Sequence, residues 1–172
     1  SDLDRLAAWA PEVIAIENVS GLQCDAMRRY PQRYRVSISD YCPDVSHAGQ
    51  QAGLDVPAAN AEAERLLAEW PAAPSPEQRR RLAAVFLAAG EPTSALVQWL
   101  RLAPAERREG EGLDATLVAQ LNTLVDSINE SDSVAAALAA RLGLERVWSV
   151  DDHSSDRYPA DIRGYARAIR QV

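Results

Sequence analysis

The chain has no lysine: all 18 of its basic residues are arginine. That bias fits a GC-rich coding sequence better than a mechanism. There is one methionine, Met27, and no apolar run approaches the roughly 20 residues that would cross a bilayer, so a membrane-spanning helix is not expected. Bases are outnumbered, with 25 acids giving a net charge of -7, which argues against a dedicated nucleic-acid binder. Several motifs are missing too. GxSxG, GxxxxGK, GxGxxG, HExxH and the EF-hand loop do not occur, so a serine nucleophile elbow, a phosphate cradle and the common metal helices are set aside. There are 2 cysteines, Cys24 and Cys42, in neither CxxC nor CxxH spacing. Reduced thiols are the expectation, since a bridge needs an oxidising compartment.

What is there reads as a soluble globular chain of 172 residues, 47% apolar and 25% charged. It opens Ser1-Asp2-Leu3 with no initiating methionine and no signal-peptide pattern. The expectations are therefore the cytoplasm and one α/β domain over 1–172 lacking an N-terminal strand. Residues 2–9 read as a helix ended by Pro11, and Val13-Ile14-Ala15-Ile16 reads as a short strand ending at Glu17-Asn18. Apolar residues in succession suit a strand covered on both faces, as in parallel sheets. Gly21 to Tyr30 reads as helix, with Pro31 as its stop. Residues 31–56 read as mainly loop, with one strand near 34–38 and a helix around His47.

From 57 to 142 the periodicity is helical throughout. Pro57 opens one helix, and Ser75 with Gln78 three residues on forms a capping box for the next, which Gly90 closes. Pro92 opens a third, Asp114 caps a fourth, and Ser131 or Ser133 caps a fifth that ends at Gly143. A second strand is expected at 146–150, running into DDHSSD at 151–156. A last helix, about 160–170, carries Ile162, Tyr165 and Ile169. Two stretches share one grammar: LDRLAAWAPEVIAIEN and LAARLGLERVWSVDD both give helix, breaker, β run, acid. Such units normally lie parallel, and ligands then bind outside the carboxyl ends of the strands. The expected fold is α/β and helix-rich, a small mostly parallel sheet with an all-helical insertion at about 57–142.

Candidate chemistry follows from that placement. Glu17 sits where its carboxylate can serve as general base or ligand. Asp151, Asp152 and His153 join it as the candidate catalytic set, and Glu17, His153 and Asp156 as a candidate site for a divalent metal. The six polar residues of DDHSSD also read as a solvated loop. Tyr30, Tyr34 and Tyr41 with Arg28, Arg29, Arg33 and Arg35 form a basic aromatic cluster, which is either an anion site or an ordinary helix face.

The runs VIAIENVSG, LAAVFLAAGEPTSALVQWLRL and RLGLERVWSVDDHSSD resemble uncharacterised bacterial proteins of the TraB, ChaN and erythromycin-esterase-like superfamily. The resemblance implies an αβ core, a strand-end glutamate matching Glu17, and a polar strand end matching Asp151, Asp152 and His153. The superfamily's Gly-x-x-His segment is absent here. The implied activity is hydrolysis, metal-assisted in some members, of a small-molecule or peptide substrate. A competing expectation is a helical interaction module, because FLAAGEPTSALVQWL reads like one tetratricopeptide-type hairpin.

Overall fold

The computed structural model describes residues 2–127 and 131–156. Two strands, β1 (Ala15–Val19) and β2 (Trp148–Asp151), pair in parallel, and the elements described between them are helices apart from an isolated antiparallel bridge, Gly110 to Leu113. The chain is α/β and helix-rich, with the small parallel sheet that the shared grammar of its two ends implies. Ala15 lies opposite Trp148, Ile16 opposite Ser149 and Val19 opposite Asp151, with a register shift between Ile16 and Val19.

β1 begins two residues later than its apolar run suggests. Val13 lies outside it and is 64% exposed, whereas Ile16 and Val19 are buried. The strand is thus covered on one face only, because among the described residues this sheet has no third strand to bring a second layer of helices. The strand expected near 34–38 is instead the middle of a helix, and Pro31 is a start and not a stop. At the first helical position its missing N–H costs nothing and its fixed φ is already helical. The loop expected over 31–56 is accordingly two helices.

In chain order the helices are α1 (Asp2–Ala8), α2 (Gly21–Arg28), α3 (Pro31–Tyr41), α4 (Ser46–Ala52), α5 (Val56–Ala68), α6 (Pro76–Ala88), α7 (Pro92–Leu100), α8 (Ala115–Asp126) and α9 (Ser131–Arg141). Their ends follow local chemistry. Ser75 and Gln78 close the capping box of α6, and Asp114 accepts the Leu117 N–H at 3.0 Å to start α8. Gly90 (φ 75°) and Gly143 (φ 75°) adopt the left-handed turn after α6 and α9.

The α6–α7 hairpin forms the centre. Residues 82–99 are buried except for Pro92, and helices α4, α5, α8 and α9 pack around them. Trp99, 0% exposed, donates its Nε1–H to Asn122 at 3.0 Å. Beneath the hairpin, buried Arg79 donates to Gln98 at 2.8 Å and to Glu145 at 2.9 Å, which satisfies a guanidinium that would otherwise be costly to bury.

α2 meets this hairpin backbone to backbone. A methyl group on Gly21 would lie 1.7 Å from the Ala89 carbonyl oxygen, so only glycine fits. A second correction concerns the cysteines: Cys24 on α2 and Cys42 just after α3 are joined in a disulfide. No helix among the described residues is long and apolar enough to cross a membrane. The expected helix at about 160–170 lies outside the described residues.

Candidate functional site

A cleft of about 340 Å³ opens beside the sheet. β1 supplies Glu17, Asn18 and Val19, and β2 supplies Ser149. The end of α3 and the segment after it give a continuous wall, Asp40, Tyr41, Cys42 and Pro43. Gly90, Pro92 and Thr93 from the α6–α7 turn and Asp132 from α9 complete it. All the charged side chains on this lining are carboxylates: Glu17, Asp40 and Asp132. Asn18 donates to Asp132 at 3.2 Å. Glu17 points from the exposed side of β1 and has no hydrogen-bond or ion-pair partner among the described residues.

One level below the lining sits Glu91, which no motif marks. It is 6% exposed, at the cap position of α7. One carboxylate oxygen accepts the Gly21 N–H at 3.0 Å and the other the Ser149 O–H at 2.8 Å. Burial pushes its pKa up, opposed by those two hydrogen bonds and by Arg146. Glu91 therefore fastens α2, β2 and the α6–α7 turn together under the cleft. Its only trace in the sequence is the Gly-Glu-Pro turn, which reads as punctuation.

The DDHSSD segment leaves Asp152, Ser154 and Ser155 exposed and tucks His153 inward between two carboxylates. Both ring nitrogens of His153 face carboxylates: Nδ1 donates to Asp156 at 2.8 Å and Nε2 lies 2.8 Å from Asp151. The hydrogen bond to Asp156, with help from Asp151, raises the His153 pKa and favours the imidazolium. In return Asp156 is lowered by His153 and by Ser37, whose hydroxyl reaches it at 2.9 Å. Asp152 is lowered chiefly by the Ser154 backbone N–H.

Helices α2 and α3 hold this loop from outside. Gln23 donates to Asp152 at 2.8 Å and accepts the His153 backbone N–H at 3.1 Å. From α3, Tyr34 donates to the Ser154 carbonyl at 2.7 Å, Ser37 reaches Asp156, and the Tyr41 ring stacks on His153 with centroids 4.0 Å apart. Tyr34, Ser37 and Tyr41 recur at helical spacing, one stripe that reads the loop.

The candidate residues therefore divide. Glu17 lines the cleft; Asp151, Asp152 and His153 do not, and form a clasp behind it, joined to the lining through Tyr41. The expected metal set of Glu17, His153 and Asp156 is not assembled, and no group of three or more His, Cys, Asp or Glu among the described residues is arranged to hold a metal ion. The reason is local: both ring nitrogens of His153 are already engaged by Asp156 and Asp151.

The basic aromatic cluster is dispersed as well. Arg28 donates to the Pro43 carbonyl, Arg29 pairs with Asp25 at 3.1 Å, and Arg33 lies 4.9 Å over Tyr34. His47 pairs with Asp114 at 2.6 Å, tying α4 to the start of α8. Sequence reasoning missed Gln23, Asp40, Glu91 and Asp132. Their roles depend on which helices meet, and nothing local signals that. The chain matches no family model, no curated protein and no solved structure.

Proposed function

We propose that the chain is a hydrolase of the erythromycin-esterase/TraB type, acting on a small-molecule or peptide substrate in the cleft beside the parallel strands. The observation that carries this reading is Glu17, a carboxylate on β1 that lines a concave site and has no partner among the described residues. A carboxylate in that position takes a proton from a bound water as the water attacks an ester or amide carbonyl. Asn18, Thr93 and Ser149 offer neutral hydrogen-bonding groups around it. Tyr41 orders the wall, held in place by its stack on His153. In this scheme Asp151, Asp152 and His153 are positioning residues and not catalytic ones, and no step is routed through a metal. The Cys24–Cys42 disulfide favours an oxidising compartment over the cytoplasm that the sequence suggests.

The test is turnover of a panel of chromogenic esters and fluorogenic peptides by the oxidised chain and by Glu17→Gln. Glu17 is exposed, so the substitution leaves the melting temperature unchanged. Removing a general base lowers turnover by about 100-fold or more. Equal turnover by the two proteins, or none by the unmodified chain on any ester or peptide, overturns the reading.

A further inference from the structure

We infer that the Cys24–Cys42 disulfide is a redox latch on the cleft: a dithiol reductant opens it and frees the wall at residues 40–43, and re-oxidation closes it. The inference deepens the reading above, taking the cleft as the working site, and concerns its regulation.

The argument starts from how the wall is held. Asp40, Tyr41, Cys42 and Pro43 are consecutive, and all four line the cleft. The Cys42 N–H makes the last helical bond of α3, to the Ile38 carbonyl at 3.1 Å. Farther along, the wall is tied across to α2, by the disulfide to Cys24 and by Arg28 donating to the Pro43 carbonyl. The bridge is placed so that the residue before each cysteine touches His153. Gln23 precedes Cys24 and accepts the His153 backbone N–H, and Tyr41 precedes Cys42 and stacks on the ring. The covalent bond therefore fixes the distance between the two supports of the clasp. Without it, the wall and the 151–156 loop lose their common brace, while the α6–α7 core keeps its own packing.

The two sulfurs differ in access. Cys24 is 1% exposed, whereas Cys42 is half-buried and lines the cleft. A thiolate of the dithiol attacks Cys42 Sγ, the Sγ–Sγ bond breaks, and Cys24 leaves as a thiolate that takes a proton from water. The second thiol of the reductant then attacks the mixed disulfide at its own sulfur. Cys42 leaves as a thiolate and is protonated in turn, and the reductant departs as a cyclic disulfide. Two electrons have passed to the protein.

Hydrogen–deuterium exchange on the full chain, oxidised and after dithiothreitol, tests the inference. The two free thiols are verified by alkylation mass. Reduction raises amide exchange in 38–46 and 151–156 by about tenfold or more and leaves 82–99 within about twofold, because only a local unit opens. Re-oxidation reverses the change. A Cys24→Ser/Cys42→Ser double variant shows the reduced pattern and ignores dithiothreitol. Unchanged exchange at 38–46 overturns the latch. So does a rise spread evenly over 82–99, or a double variant that does not fold, since both make the bridge a global staple. Exchange does not depend on turnover, so a chain that hydrolyses nothing can still show the latch, and a working hydrolase can lack it.

Discussion

Replacing Gly21 by alanine adds one methyl group at the tightest backbone contact under the cleft. Its carbon would lie 1.7 Å from the Ala89 oxygen, 2.7 Å from the Ala89 carbonyl carbon and 3.0 Å from Gly90 Cα, all backbone atoms. Rotamer change cannot relieve such a clash, so α2 and the α6–α7 turn must part. Parting breaks the Gly21 N–H bond to buried Glu91, worth about 1.5–3 kcal/mol because the acceptor is charged. It also strains the bond from Asn60 to the Ala89 carbonyl, worth about 1 kcal/mol. The expected cost is about 2.5–4 kcal/mol, which lowers the melting temperature of a domain this size by about 5–16 °C. Urea unfolding followed by circular dichroism reads it. Gly53→Ala is the control, since Gly53 has a left-handed φ of 69° but nothing within 4 Å of its added carbon. That variant should lose only the strain of about 1–2 kcal/mol. A Gly21→Ala protein no less stable than the Gly53→Ala control would mean that the two backbones do not meet, and the floor of the cleft would need another account.

Glu91→Gln should flatten the pH dependence of stability. Burial raises the folded pKa of Glu91 above its ordinary value, so its contribution is fully present below the ordinary carboxylate pKa and is lost as pH rises through the folded one. The stability difference between unmodified chain and variant therefore falls with rising pH, read from melting temperatures across that range; a difference that stays constant refutes the burial argument. Glu145→Ala strands Arg79, which is 7% exposed and ion-paired to Glu145 at 2.9 Å. Breaking a buried pair from one side costs about 3–5 kcal/mol in urea unfolding, and a loss no larger than that of a typical exposed pair, about 1 kcal/mol, would show that Gln98 alone satisfies the guanidinium.

Residues whose neighbours in sequence are also their neighbours in space were legible from sequence. The capping box at Ser75, the Asp114 cap and the glycine turns at 90 and 143 are decided within a few residues. The parallel pairing of the two ends was legible because both repeat one helix–breaker–strand grammar. Pro31 misled, since the same ring that stops one helix starts the next, and the strand boundary slipped because a one-sided two-stranded sheet needs no continuous apolar run. Glu17 was found at a strand, but its companions Asp40 and Asp132 come from helices distant in sequence. Cys24 and Cys42 gave no spacing signal, because α2 and α3 fold back on each other through a turn that Pro31 conceals. His153 was read as a ligand; the two flanking aspartates that suggested a metal are the groups that occupy its ring nitrogens.

The two strands that border the cleft belong to opposite ends of the chain, and the contact from Gln23 to Asp152 already spans 129 positions. Closing so large a loop is entropically slow, whereas α6 and α7 need only a short turn to find each other. Contact order therefore favours the helical hairpin forming before the strands pair. A ribosome-bound or C-terminally shortened chain can hold most of its helices and still lack the groove in which substrate would sit.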